Sequence, residues 1–121
     1  MKRDDLIYWT TTGFIAALML WSAYNFAFVE EQKAAFQHLL LPNWFRLELT
    51  TAKFLGAAVL LLPVHALIKE FAYFGFGLTI VSAEIAHQAV GDPLWYTVLH
   101  LVFLGILITS YIFFRKREKH I

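Results

Sequence analysis

Five ionisable residues stand inside stretches that are otherwise apolar: Glu48, Lys53, Glu84, His87 and His100. Asn25 and Gln88 are their neutral company. An ionisable group is costly in hydrocarbon, so each one is a candidate site residue. Lys53 and Glu84 carry opposite charge. As a pair they suit either a ligand carbonyl or a proton relay, and equally a structural ion pair that fixes helix register. Glu84-Ile85-Ala86-His87 is a Glu-x-x-His on one helix face. Di-iron bundles need two such motifs and further carboxylates; there is one here, so a di-iron site is not expected. A mononuclear site from Glu84, His87 and His100, or haem between His87 and His100, is weighed and set aside, and no metal is expected. His100 by itself reads more readily as a hydrogen-bonded bundle histidine. His38, His65 and His120 fall in loops or the tail, where no chemistry is implied.

These residues need a membrane to sit in. The chain has 121 residues, 60% hydrophobic and 16% charged, with mean hydropathy +0.60. A soluble domain has about 45–50% apolar and about 25% charged residues. Four segments are long and apolar enough to cross ~30 Å of hydrocarbon: about 6–29, 44–64, 68–90 and 94–114. What remains is too short for a soluble domain. The first segment is longer than a signal-peptide core and lacks a small-residue cleavage site, so it reads as a retained helix. The expectation is an all-α integral membrane bundle of four helices in up-down order, forming a single domain over 1–121. Residues 32–41 read as a short interfacial helix, with Phe36, Leu39 and Leu40 on one face, or else as an irregular loop.

Charge orients the bundle. Lys2, Arg3, Lys69, Arg115, Lys116, Arg117 and Lys119 fall on one side, against Lys33 and Arg46 on the other. This predicts both termini in the cytoplasm of a cell with the protein in its inner membrane. The tail at 115–119 reads as a headgroup anchor, so membrane lipids are expected partners. Net charge is +1 and the basic residues sit at the chain ends, which excludes nucleic-acid binding. There is no cysteine, hence no disulfide, thiolate metal site or cysteine nucleophile. No hydrolase, nucleotide-binding or metalloprotease motif occurs, so a self-contained enzyme is not expected.

Depth follows from about 1.5 Å per residue. Lys53 lies near the middle of its span. Glu84 and His100 lie about 7 and about 6 Å outward of theirs. Asn25, Glu48 and His87 lie further out. Side chains lean toward a helix N-terminus, so Lys53 and Glu84 are predicted to converge. The inner half reads as nearly dry. Three stripes are expected to face the interior: Arg46, Thr50, Lys53 and Ala57; Gly77, Val81, Glu84, Gln88 and Gly91; Tyr96, His100, Phe103 and Leu107.

Several segments also resemble a known family. They are Thr51-Ala-Lys-Phe-Leu-Gly-Ala-Ala-Val-Leu-Leu-Leu-Pro63, Ile68-Lys-Glu-Phe-Ala-Tyr-Phe-Gly75, Ser82-Ala-Glu-Ile-Ala-His87 and Gly91-Asp92-Pro93. Together they resemble the DoxX-like family of small bacterial four-helix membrane proteins, over about residues 7 to 114. The family's usual Gly-Tyr-Pro before span two stands here as Leu40-Leu41-Pro42. Lys53, Glu70, Tyr73, Glu84 and His87 match recurrent family positions. The resemblance implies a four-helix membrane fold. It links the chain to quinone-dependent sulfur oxidation, to oxidative-stress complexes and to membrane assembly. The expected function is an accessory or anchor subunit of a quinone-linked redox system, with a quinone as ligand and a redox protein as partner. The polar pocket would comprise Lys53, Glu84, His87, His100, Asn25 and Glu48. The alternatives are a small-molecule or lipid binding or transport protein, and an assembly factor without ligand. A homo-oligomer suits so small a bundle.

Overall fold

The computed structural model describes residues 2–119; His120 lies outside them. Among the described residues there are five α-helices and no strand. They are α1 (Lys2–Phe28), α2 (Glu30–His38), α3 (Asn43–Leu61), α4 (Ala66–Ala89) and α5 (Trp95–Lys119). Three of them, α1, α4 and α5, are long and apolar enough to cross a membrane. The fourth long helix, α3, has 19 residues and carries Arg46, Glu48 and Lys53.

The long helices form a ring in which α1 touches α3 and α5, and α4 touches the same two. Neighbours run antiparallel. Asp5 meets Arg117 and Thr12 meets Ser110 across α1 and α5. Glu70 meets Arg115 and Glu84 meets His100 across α4 and α5. Both chain ends therefore share one end of the bundle, here the terminal end. The α1–α2–α3 connection and the α4–α5 turn share the other, the loop end. The core is built from Ile15, Met19, Leu60, Phe76, Ile80 and Leu107, among others. Gly56 is needed there: a Cβ at that position would come 2.5 Å from the Phe76 ring.

Two buried cations close helix ends. The last carbonyls of a helix have no partner inside it and carry its negative pole. Arg46 donates to the Phe26 carbonyl near the end of α1. Lys69 donates to the Val59 and Leu60 carbonyls at the end of α3, at 3.2 and 2.9 Å. Both side chains are nearly inaccessible. Their stem carbons pack while the heads meet the carbonyls.

Several expectations need correction. The segment after α1 is helical from Glu30, and α2 stops at His38 instead of running to 41. Leu40 takes φ 61° in the turn that follows and points outward, 83% exposed. Phe36 turns inward onto the Phe26 ring, edge to face at 4.8 Å. The short helix thus seats its aromatic anchor on the bundle. The stripe on α4 is also displaced. Its buried residues are Lys69, Tyr73, Phe76 and Ile80, while Val81 and Gln88 are exposed. The polar residues that mark its inner face, Lys69 and Tyr73, sit near its start, ahead of the expected stripe. The stripes on α3 and α5 fall as expected: Arg46, Thr50, Lys53 and Ala57 are buried, and so is Leu107.

The inner half is not dry. Thr12, Ser110 and Tyr73 form a closed network at the terminal half, with Thr12 Oγ1 to Ser110 Oγ at 2.6 Å and Tyr73 Oη to Ser110 Oγ at 2.7 Å. Thr12 and Ser110 are fully buried. The network ties α1, α4 and α5 together through neutral groups, each with a partner, as burial requires.

Candidate functional site

At the loop end the structure assembles two histidine–carboxylate pairs. His100 on α5 donates through Nδ1 to Glu84 Oε1 on α4, at 2.9 Å. His87, one turn further along α4, donates through Nδ1 to Asp92 Oδ2 in the turn, at 2.6 Å. The antiparallel α4–α5 hairpin makes this meeting unavoidable. Gly91, at φ 78°, lets the chain reverse between the helices, and Asp92 lands beside His87. The two imidazoles stand 5.5 Å apart, centroid to centroid.

Each carboxylate is further held. Glu84 Oε2 accepts from Gln88 Nε2 at 2.6 Å and from the Thr97 hydroxyl. Asp92 Oδ1 accepts from His38 Nε2 of α2 at 2.8 Å. The Asp92 carboxyl is held below the ordinary aspartate range, first by the His87 bond, then by the His38 bond, against the opposing pull of desolvation. Side-chain exposures are 14–19% for Glu84, His100, His87 and Asp92, so the cluster is sheltered yet reachable. The His87 ring stacks on Tyr96 at 4.2 Å and 13°, and Tyr96 stacks on Trp95 at 4.0 Å.

A carboxylate on Nδ1 fixes the tautomer and orientation of an imidazole and leaves Nε2 for other work. Among the described residues no hydrogen-bond partner is recorded for Nε2 of His87 or His100. Two oriented imidazoles with spare nitrogens, flanked by stacked aromatics, can hydrogen-bond a flat polar ligand and hold or release protons at those atoms. No group of three or more His, Asp or Glu among the described residues is arranged to hold a metal ion.

The other expected site residues do not join this cluster. Lys53 and Glu84 do not pair. Lys53 Nζ donates to Ser22 Oγ at 2.7 Å and stands 3.8 Å from the Phe26 centroid. Both partners lie on α1, so Lys53 faces α1 and not α4. Rise per residue gives a level along the helix axis and says nothing of the direction around it. Asn25 turns back to the Trp21 carbonyl of its own helix at 2.8 Å. Glu48 is exposed on α3. Conversely, His38 was given no chemistry and proves to be a partner of Asp92. His65 caps α4, with Nδ1 accepting from the Leu67 amide at 3.0 Å. Thr97 and Asp92 were also missed. The His before Gly-Asp was the available signal for the His87–Asp92 pair.

No curated protein and no solved structure matches the chain. The family model that does match covers residues 10–110. That stretch contains Lys53, Glu84, His87, Asp92 and His100 together with all of α3 and α4 and most of α1 and α5. The chain is a membrane protein that belongs to the DoxX-like family.

Proposed function

We propose that the chain is an accessory membrane subunit of a quinone-linked redox system, with its ligand site at the loop end. The observation that carries this reading is the pair of carboxylate-held imidazoles beside the Trp95–Tyr96–His87 stack. The residues fit a quinone headgroup: a flat ring wants an aromatic face, and its two oxygens want donors. His87 and His100 would hold those oxygens through Nε2. A quinone bound there supplies reversible two-electron, two-proton redox chemistry. The chain contributes binding, orientation and a place for protons. Any sulfur redox chemistry must come from a partner, because the chain has no cysteine.

In this reading α3 completes a four-span bundle in the inner membrane. Its three charges are compatible with spanning because Arg46 and Lys53 turn to protein partners. Both termini lie in the cytoplasm. A periplasm-active reporter fused after residue 121 should then be silent, and a strong signal would overturn the topology.

The test of function is direct. Protein purified in mild detergent is extracted and its small molecules identified by mass spectrometry, with an absorbance spectrum beside it. The expected result is quinone near one per chain, lost in His100→Ala and in Glu84→Gln but kept in Lys53→Met. Recovery of bulk phospholipid alone would sink the quinone reading and favour the assembly-factor alternative.

A further inference from the structure

A groove of about 580 Å³ opens between α4 and α5, away from the loop-end cluster. Its walls are Phe74, Gly77, Leu78 and Val81 on one side and Leu104 and Ile108 on the other. The volume is that of a small-ligand site, within the usual ~300–1,000 Å³. Its length, from Glu70 to Val81, is about 16 Å along α4. The cause is Gly77: a Cβ there would meet only Leu107 Cδ2, at 3.8 Å. The missing side chain leaves α4 and α5 parted at that level.

One end of the groove is polar. Glu70 and Tyr111 line it, and Arg115 lies one turn beyond Tyr111. Glu70 Oε1 accepts from both Tyr111 Oη, at 3.0 Å, and Arg115, at 2.7 Å. Glu70 Oε2 has no recorded partner, and Arg115 uses one of its five donors. Both side chains are partly exposed, 31% and 52%. Glu70 is in the first turns of α4, and Arg115 is near the end of the apolar stretch of α5. In a membrane this places the polar end at headgroup level and the rest of the groove at acyl-chain level.

We infer that the α4–α5 groove is a binding site for one phospholipid with a zwitterionic, primary-ammonium headgroup. One acyl chain fills the groove. The phosphate takes the spare donors of Arg115, and the ammonium donates to Glu70 Oε2. The mouth presents one positive and one negative group, so it complements a zwitterion. An anionic phospholipid with a hydroxyl headgroup could give its phosphate to Arg115 but would bring no cation to Glu70. A choline headgroup has no N–H to donate. The inference stands apart from the quinone reading, which concerns the other end of the helix pair.

The experiment is competition on the intact protein by native mass spectrometry in mild detergent. Ethanolamine, choline and glycerol phospholipids with identical acyl chains are offered at equal concentration. One ethanolamine lipid per chain is expected, favoured by roughly tenfold, the equivalent of about 1.4 kcal/mol. Gly77→Leu should abolish retention by filling the groove. Gly75→Leu, on a face with nothing within 4 Å, should leave it unchanged. Glu70→Gln should erase the ethanolamine-over-choline preference while lipid is still bound. Equal retention of the three headgroups by the wild-type protein would overturn the inference. So would retention that survives Gly77→Leu, or a quinone in the groove in place of phospholipid.

Discussion

The two ends of the bundle handle polar groups in opposite ways. At the terminal half, Thr12, Ser110 and Tyr73 make a neutral network sealed among three helices, with Thr12 and Ser110 fully buried. At the loop end, Glu84, His100, His87 and Asp92 make charge-assisted pairs, each 14–19% exposed, with imidazole nitrogens to spare. A network whose hydroxyls all have partners, sealed from solvent, holds helices together. A network with spare valences at a reachable surface can exchange partners. The contrast fits packing at one end and the proposed ligand site at the other.

The largest effect should come from the sealed end. Ser110→Ala leaves the Thr12 and Tyr73 hydroxyls buried without their shared partner. Each such orphan costs about 1–3 kcal/mol, so a loss of about 2–6 kcal/mol is expected in equilibrium unfolding in mixed micelles. The triple variant Thr12→Val, Ser110→Ala, Tyr73→Phe removes all three hydroxyls and should recover much of that loss. His100→Ala at the open end should shift the transition less than Ser110→Ala. The reverse order would erase the distinction between the two ends.

A smaller effect tests whether the two halves of the loop end are separate. Lys53 is satisfied by Ser22 and Phe26, and Glu84 by His100, Thr97 and Gln88. Lys53→Met and Glu84→Gln should therefore add, to within about 0.5 kcal/mol, as independent sites do. Coupling of about 1 kcal/mol or more would restore the ion pair expected from helix depth.

Much of this was legible in the residues, and the failures have physical reasons. The stripes of α3 and α5 could be read because polar residues interrupt them at helical spacing: Arg46, Thr50 and Lys53 on one, Tyr96 and His100 on the other. On α4 the buried side carries Lys69 and Tyr73 near its start, and a stripe begun at Gly77 leaves both out, so it came out displaced. Glu84, His87 and His100 stood out because charge in hydrocarbon is rare. Thr12 and Ser110 did not, because a hydroxyl in an apolar helix can bond its own backbone, as Thr11 does to Ile7. The His38–Asp92 bond joins residues 54 positions apart in two connecting segments, and no periodicity relates them. The Lys53–Glu84 pairing failed because rise per residue gives level but not azimuth.

The smallest expected effect concerns how α2 is fastened. Its side chains reach the bundle through Phe36, and it reaches the α4–α5 turn through His38 and Asp92. The lowered Asp92 carboxyl sets the sign of the pH dependence. A depressed carboxyl contributes stability that is complete above its unfolded value, about 3.9, and is lost as pH falls through the lower native value. Amide protection along α2, taken relative to the intrinsic exchange rate at each pH, should thus be nearly flat from neutrality down to about pH 4, then fall in more acid solution. Asp92→Asn keeps one acceptor oxygen but gives up the charge. Exchange in α2 should be faster at neutral pH in that variant, with a shallower acid step, while α4 amides around Phe76 stay protected in both proteins. The difference between variant and parent isolates the contribution of Asp92. An α2 that exchanges identically in the two proteins across the whole range would mean that Phe36 alone seats the helix. The loop end would then keep its two dyads but lose its tie to α2.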